Sequence, residues 1–141
     1  MIKIDFDLDK RLNDDTIYIC DLPFSKLLLM NDSNYPWFIV VPRVKKISEI
    51  FQLSEDDQIQ LNSEVSKLSQ ILLDYFDGCK VNTAALGNIV NQLHVHIIIR
   101  KETDISWPNP VWGSSPAVHY SKIDLNSVIL ELQSIIAKIV F

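Results

Sequence analysis

Residues 92–98 read Gln-Leu-His-Val-His-Ile-Ile, and up to Ile97 polar and apolar residues alternate with a period of two. In an extended strand, Gln92, His94 and His96 share one face, and Leu93, Val95 and Ile97 share the other. Such a strand must anchor its apolar side in a core while it holds two imidazoles and an amide rigidly on the opposite side. The chain has three histidines in all, so two of them one residue apart on one predicted face constrain the fold and the chemistry together.

The rest of the chain supplies a sheet for this strand to join. Residues 16–20 (Thr-Ile-Tyr-Ile-Cys) are β-branched and aromatic and read as a strand. Residues 26–30 form a second apolar run, and Asn31-Asp32-Ser33-Asn34 is a turn signal. Residues 37–41 are wholly apolar, as expected of a central strand, and Pro42 ends it. These spacings suit an antiparallel meander. Ser54 can cap a helix whose first turn carries Glu55, Asp56 and Asp57, matching the positive end of the helix dipole. Leu61, Val65, Leu68, Leu72 and Phe76 then recur at helical spacing, and Gly78 ends the helix. Residues 80–86 read as a fourth strand, Gly87-Asn88 as a turn, and residues 92–100 as a fifth strand. Two prolines and a glycine make residues 107–113 (Trp-Pro-Asn-Pro-Val-Trp-Gly) an ordered loop held by Trp107 and Trp112. Asp124 can cap a last helix with Val128, Leu132, Ile135, Ile136 and Ile139 on one face. The expected fold is α+β: an antiparallel sheet of about five strands, one long helix and a C-terminal helix, in a single domain over residues 1–141.

Composition excludes several function classes. Apolar residues are 48% and charged residues 22% of the chain, as in ordinary globular proteins. A formal net charge of −5 opposes broad nucleic-acid binding, which needs a basic face. Arg43, Lys45, Lys46, Arg100 and Lys101 leave room for a local phosphate site, the alternative being solvated surface charge. Cys20 and Cys79 match no metal-ligand spacing and suggest reduced thiols, hence a cytoplasmic protein. Residues 1–7 lack the apolar core of a signal peptide, and no run approaches the ~20 apolar residues that span a bilayer.

Three readings of the polar row compete. The histidines can be structural, satisfied by hydrogen bonds in a half-buried strand. They can bind zinc, with His119 as a third ligand, although no Cys pair or acidic cluster converges on them and Gln92 is a poor ligand. Or an imidazole can attack phosphorus, form a phospho-histidine intermediate and leave its neighbours to hold the phosphate oxygens. In that reading Gln92 and His96 flank His94 as donors.

The segment resembles the histidine triad (HIT) motif, His-φ-His-φ-His-φ-φ with φ apolar, with Gln92 where the first histidine belongs. Asn82, then Gly87-Asn88 and Val90, is similar to the Asn…Gly-Gln-x-Val run that precedes the triad, the asparagine lying one residue closer here. Residues 37–42 resemble the family's apolar strand ending in proline, and residues 47–61 its entry into the long helix. The match covers roughly residues 15–113, leaving 114–141 as tail and helix. Gln-Leu-His-Val-His together with Trp-Pro-x-Pro-Val-Trp-Gly resembles a bacterial branch that carries this same glutamine.

The resemblance implies a nucleotide hydrolase or transferase acting at the α-phosphate of a nucleoside phosphoramidate or related nucleotidyl substrate. It implies a homodimer that takes a purine nucleotide or nucleotide conjugate, without a catalytic metal or other cofactor, and with neither nucleic acid nor membrane as partner. By position, His94 is the nucleophile and His96 the phosphate contact and leaving-group partner. Asn82 binds phosphate or positions the loop, Asn88 stands where glutamine is usual, and Asn31 matches the residue that holds the ribose hydroxyls, a turn former being its other reading. Residues near Trp37, Phe38 and Ile39 are expected to wall a base pocket, and Trp107 and Trp112 to pack or to shape its mouth. An amide cannot exchange a proton near neutral pH, and Ile89 removes a donor that some relatives have. A slow enzyme and a nucleotide-binding sensor that has lost turnover are therefore both open, with a zinc-dependent hydrolase as a third alternative.

Overall fold

Alternation and β-branching along the chain produce one five-stranded antiparallel sheet in a computed structural model that describes residues 6–141. Of residues 1–7, read above for a leader, all but Phe6 and Asp7 lie outside the described residues. A short helix α1 (Lys10–Asp15) leads into β1 (Thr16–Asp21), β2 (Ser25–Met30) and β3 (Trp37–Pro42). A single 3₁₀ turn precedes the long helix α2 (Glu55–Tyr75), which is followed by β4 (Lys80–Ala84), β5 (Val95–Arg100) and α3 (Lys122–Ile136). Strand order is β1-β2-β3-β5-β4, so the histidine-bearing strand is inserted between β3 and the edge strand β4.

β3 and β5 are buried along their whole length. On one face Phe38, Val40, Val95, Ile97 and Ile99 pack under Leu61, Leu68 and Leu72 of α2 and Leu132 and Ile136 of α3. On the other, Leu28, Ile39, Val41 and Ile98 are covered by Leu12 of α1, by Val90 and by Val111 of the loop after β5. Each such side chain withdrawn from water contributes about 1.5–3 kcal/mol. The face that alternation assigned to polar groups is therefore roofed by chain segments, and His96 and Arg100 are buried beneath them at 4% and 1% exposure.

Several boundaries differ from the sequence reading, each for a physical reason. Pro42 is the last residue of β3, not its terminator; an end position needs no donated ladder bond. β4 stops at Ala84 and β5 begins only at Val95, so Gln92 and His94 belong to the connecting loop. Asp77 (φ 51°) takes the left-handed position after α2 that Gly78 was expected to fill. Gly78 is needed for close approach: a Cβ there would lie 2.4 Å from Ile99 Cγ2. Ser121 caps α3 by accepting from Asp124 N, one turn earlier than expected, and Ile139 lies beyond the helix end. The helix α1 has no counterpart among the expected elements.

Candidate active site

The site is assembled where the loop from residue 85 to 94 enters β5. Gly87 lies against the His94 ring, since a Cβ there would be 3.8 Å from His94 Cε1 and only 2.8 Å from the Val90 carbonyl oxygen. The loop thus turns tightly around the imidazole. His94 and His96 are brought together with ring centroids 4.9 Å apart and planes at 67°.

Their hydrogen bonds fix opposite tautomers. His94 Nδ1 lies 2.7 Å from the Gln92 carbonyl oxygen. A carbonyl only accepts, so Nδ1 carries the proton and the neutral ring leaves a lone pair on Nε2. Trp37 Nε1 donates to His96 Nδ1 over 3.0 Å. An indole only donates, so the proton of neutral His96 sits on Nε2, which is buried and makes no hydrogen bond of ordinary geometry, the Leu86 carbonyl acting on the ring more weakly. One histidine offers a nucleophilic lone pair and its neighbour an unsatisfied donor. Trp112 packs edge-on against His96 (5.3 Å, 83°) and against Trp37 (6.1 Å, 88°), so both tryptophans enclose the second imidazole.

Burial first, and then repulsion from a charged His94, lowers the His96 pKa to about 4, partly offset by the Leu86 carbonyl. His96 is therefore neutral at physiological pH and keeps its donor. The same depression has a stability consequence. Between the ordinary value of 6.5 and about 4, the unfolded chain binds the proton and the folded one does not. Stability is accordingly full above 6.5 and declines as pH falls toward 4, by up to about 3 kcal/mol. Urea unfolding midpoints at several pH values measure this slope, and His96→Gln is expected to flatten it.

The other predicted residues fall in three places. Gln92 is tied to the N-terminal segment: its Oε1 accepts from Asp9 N (2.8 Å) and its Nε2 donates to the Asp7 carbonyl (2.9 Å). Asn88 is exposed and lies with His94 on the wall of a hollow of about 250 Å³ whose apolar lining includes Leu12, Met30, Ile89 and Val90. Asn82 on β4, paired with Ile98 two positions along the ladder from Arg100, accepts from Arg100 Nη1 (2.9 Å). Asn31 Oδ1 accepts from Tyr120 N (3.0 Å), and buried Asp32 accepts from Val118 N (3.2 Å), so the turn grips the segment before α3. His119 is exposed within that segment, and among the described residues no group of three His, Cys, Asp or Glu gathers as a metal site. Among the described residues none joins His94 and His96 as the third ligand that zinc requires.

The base-pocket expectation needs correction. Phe38 lies in the core under the helices, while Trp37 and Ile39 are buried on the opposite face, Trp37 against His96. The apolar wall beside His94 comes instead from α1, Met30 and the Ile89-Val90 loop. Sequence reasoning missed α1 because it is six residues long and shows no amphipathic period; Asp9 as its cap was the available signal.

Comparison with known proteins bears on the family and the fold. The family model described as HIT domain matches residues 11–103. A histidine triad protein from Bradyrhizobium japonicum is 44% identical, over 92% of this chain and 96% of its own, with a TM-score of 0.88. One from Marinobacter aquaeolei VT8 is 43% identical, over 96% and 98%, with a TM-score of 0.92. Plasmodium falciparum diadenosine triphosphate hydrolase, at 19% identity over 95% and 82% and a TM-score of 0.64, shares the fold. Among curated proteins no match was found.

Proposed function

The chain belongs to the HIT domain family, and from that premise we propose that it is a nucleotide hydrolase or transferase acting at the α-phosphate of a nucleoside phosphoramidate or related nucleotidyl substrate. The observation that carries this reading is the pair of opposite tautomers. His94 Nε2 attacks phosphorus while the bond to the leaving group breaks, giving a nucleotidyl-histidine. His96 Nε2–H, buried, donates a hydrogen bond to a phosphate oxygen, while the departing group takes a proton from solvent that the attacking water later returns. Water then attacks phosphorus, returns nucleoside monophosphate and restores His94. Two histidines of fixed and different roles serve phosphoryl chemistry, where positioning and charge stabilisation supply most of the acceleration. The hollow of about 250 Å³, walled by Leu12, Met30 and Val90, takes the nucleoside.

The test is to trap the intermediate. Purified protein is mixed with an adenosine phosphoramidate, quenched in alkali within the first turnover and digested. Mass spectrometry is expected to find one adenylyl group on the peptide containing His94. Turnover without any adenylylated peptide would overturn the covalent route. Tight binding of AMP without turnover would favour a sensor, the reading that loss of the first histidine motivates. We also propose a homodimer, in keeping with the open edge of β4 beside a hollow lined by Ile50, Leu61 and Val65; sedimentation equilibrium measures it.

A further inference from the structure

We propose that Gln92 is a specificity-determining clasp that seats the N-terminal arm, residues 6–15, as one wall of the nucleoside pocket, and that it takes no part in the reaction itself. The inference rests on reading the hollow beside His94 as the nucleotide site. Its basis is that both ends of the carboxamide are engaged: Asp9 N donates to Oε1 and Nε2 donates to the Asp7 carbonyl. A carboxamide holds an acceptor and a donor side by side on one carbon. That spacing matches the carbonyl of one residue and the N–H two residues on in extended backbone, so the side chain substitutes for a neighbouring strand. An imidazole carries its nitrogens on separate edges of a ring and cannot meet both groups at once. Glutamine at the first triad position is therefore a different device from histidine, not a weakened copy of it.

What the clasp holds is a wall. Asp9, gripped through its N–H, also caps α1 by accepting from Arg11 N at 2.8 Å. The helix then delivers Leu12, 4% exposed, onto the sheet face beside Leu28 and Val90, with Phe6 and Leu8 packed partly against the same cluster. Arg11, Leu12 and Asp15 line the hollow on one side; Met30, Val90 and His94 line it on the other. Without the arm the hollow is an open face, and an aliphatic wall for a nucleoside is lost. His94 and His96 are untouched by that change, because their hydrogen bonds run to the Gln92 backbone carbonyl and to Trp37.

The experiment compares the wild type with Gln92→His, Gln92→Leu and Leu12→Ala, the last removing the wall while leaving the clasp. Hydrogen exchange of residues 8–15 is followed in nucleotide-free protein. AMP affinity is measured by calorimetry, and kcat and KM with an adenosine phosphoramidate. Both Gln92 variants are expected to speed exchange of the arm and to raise KM and the AMP Kd by roughly tenfold, with kcat changed by less than about threefold. Leu12→Ala is expected to reproduce the KM rise. Unchanged exchange in both Gln92 variants, or a rise in kcat at constant KM in Gln92→His, overturns the clasp while nucleotide chemistry stands. A wild type that neither binds AMP nor turns over the phosphoramidate overturns the nucleotide reading and this role with it.

Discussion

His94→Ala is expected to lower the single-turnover rate with an adenosine phosphoramidate by at least about a thousandfold, while AMP affinity changes only a few-fold. Loss of an attacking group removes the covalent route, and losses of 10³ to about 10⁶ are typical when a nucleophile is deleted from an otherwise intact site. No neighbour can take over. His96 Nδ1 is committed to Trp37 and its Nε2 carries the proton, and Gln92 has no lone-pair nitrogen and is tied to the arm. Binding is preserved because the apolar walls of the hollow come from α1, Met30 and the loop before β5. Ground-state affinity and rate are thus expected to separate, the signature of a group used only in the transition state. Equal rates in the two proteins, with far-UV circular dichroism showing both folded, would end the mechanism.

The sheet was legible because its signals are local. A wholly apolar stretch marked β3 as central and alternation marked β5 as a strand, and both are buried throughout. The pairing of His94 with His96 was legible for the same reason, since a period of two survives even where the first histidine precedes the strand. Gln92 was misplaced because alternation assumes an extended chain back to residue 92, whereas the strand starts at Val95. Its true partners, Asp7 and Asp9, are more than eighty residues away in sequence, and no periodicity encodes such a contact. Asn31 and Asn82 were read from the resemblance as binding residues. In the fold their side-chain oxygens accept from Tyr120 N and from Arg100, which leaves one oxygen lone pair and the amide hydrogens of each for contact with a nucleotide. Arg100 itself was grouped with candidate phosphate-binding charges. It is 1% exposed and fully engaged internally, which removes it from that group.

That engagement underlies the largest expected effect on stability. Arg100 donates to Asp104 through two parallel bonds, Nε to Oδ2 (2.8 Å) and Nη2 to Oδ1 (3.0 Å). Asn82 and Ser106 take two further donors, and the guanidinium lies over the rings of Tyr35 (5.8 Å) and Trp107 (5.5 Å). Asp104 also accepts from the backbone of Lys101 and Ser106, so the pair shapes the turn that follows β5. The loop beyond it carries Val111 onto the sheet and Trp112 onto His96. Asp104→Ala strands a buried cation, which costs about 3–5 kcal/mol where one partner of a buried pair is removed. A melting temperature lower by roughly 10–15 °C is expected for a domain of this size. Arg100→Met combined with Asp104→Ala is expected to recover part of that loss, because an apolar chain of similar reach leaves no unpaired charge; a double variant no more stable than Asp104→Ala would show that the cost lies in the turn, not in the charge. The pair also predicts an acid limb. Its hydrogen bonds to Arg100 hold the Asp104 carboxyl below its ordinary value of 3.8. The stabilisation is therefore complete above that value and lost as pH falls through the lower, folded-state pKa. Wild type and Asp104→Ala should converge in stability only below pH 3.8, whereas the decline caused by His96 begins near 6.5 and is shared by both proteins.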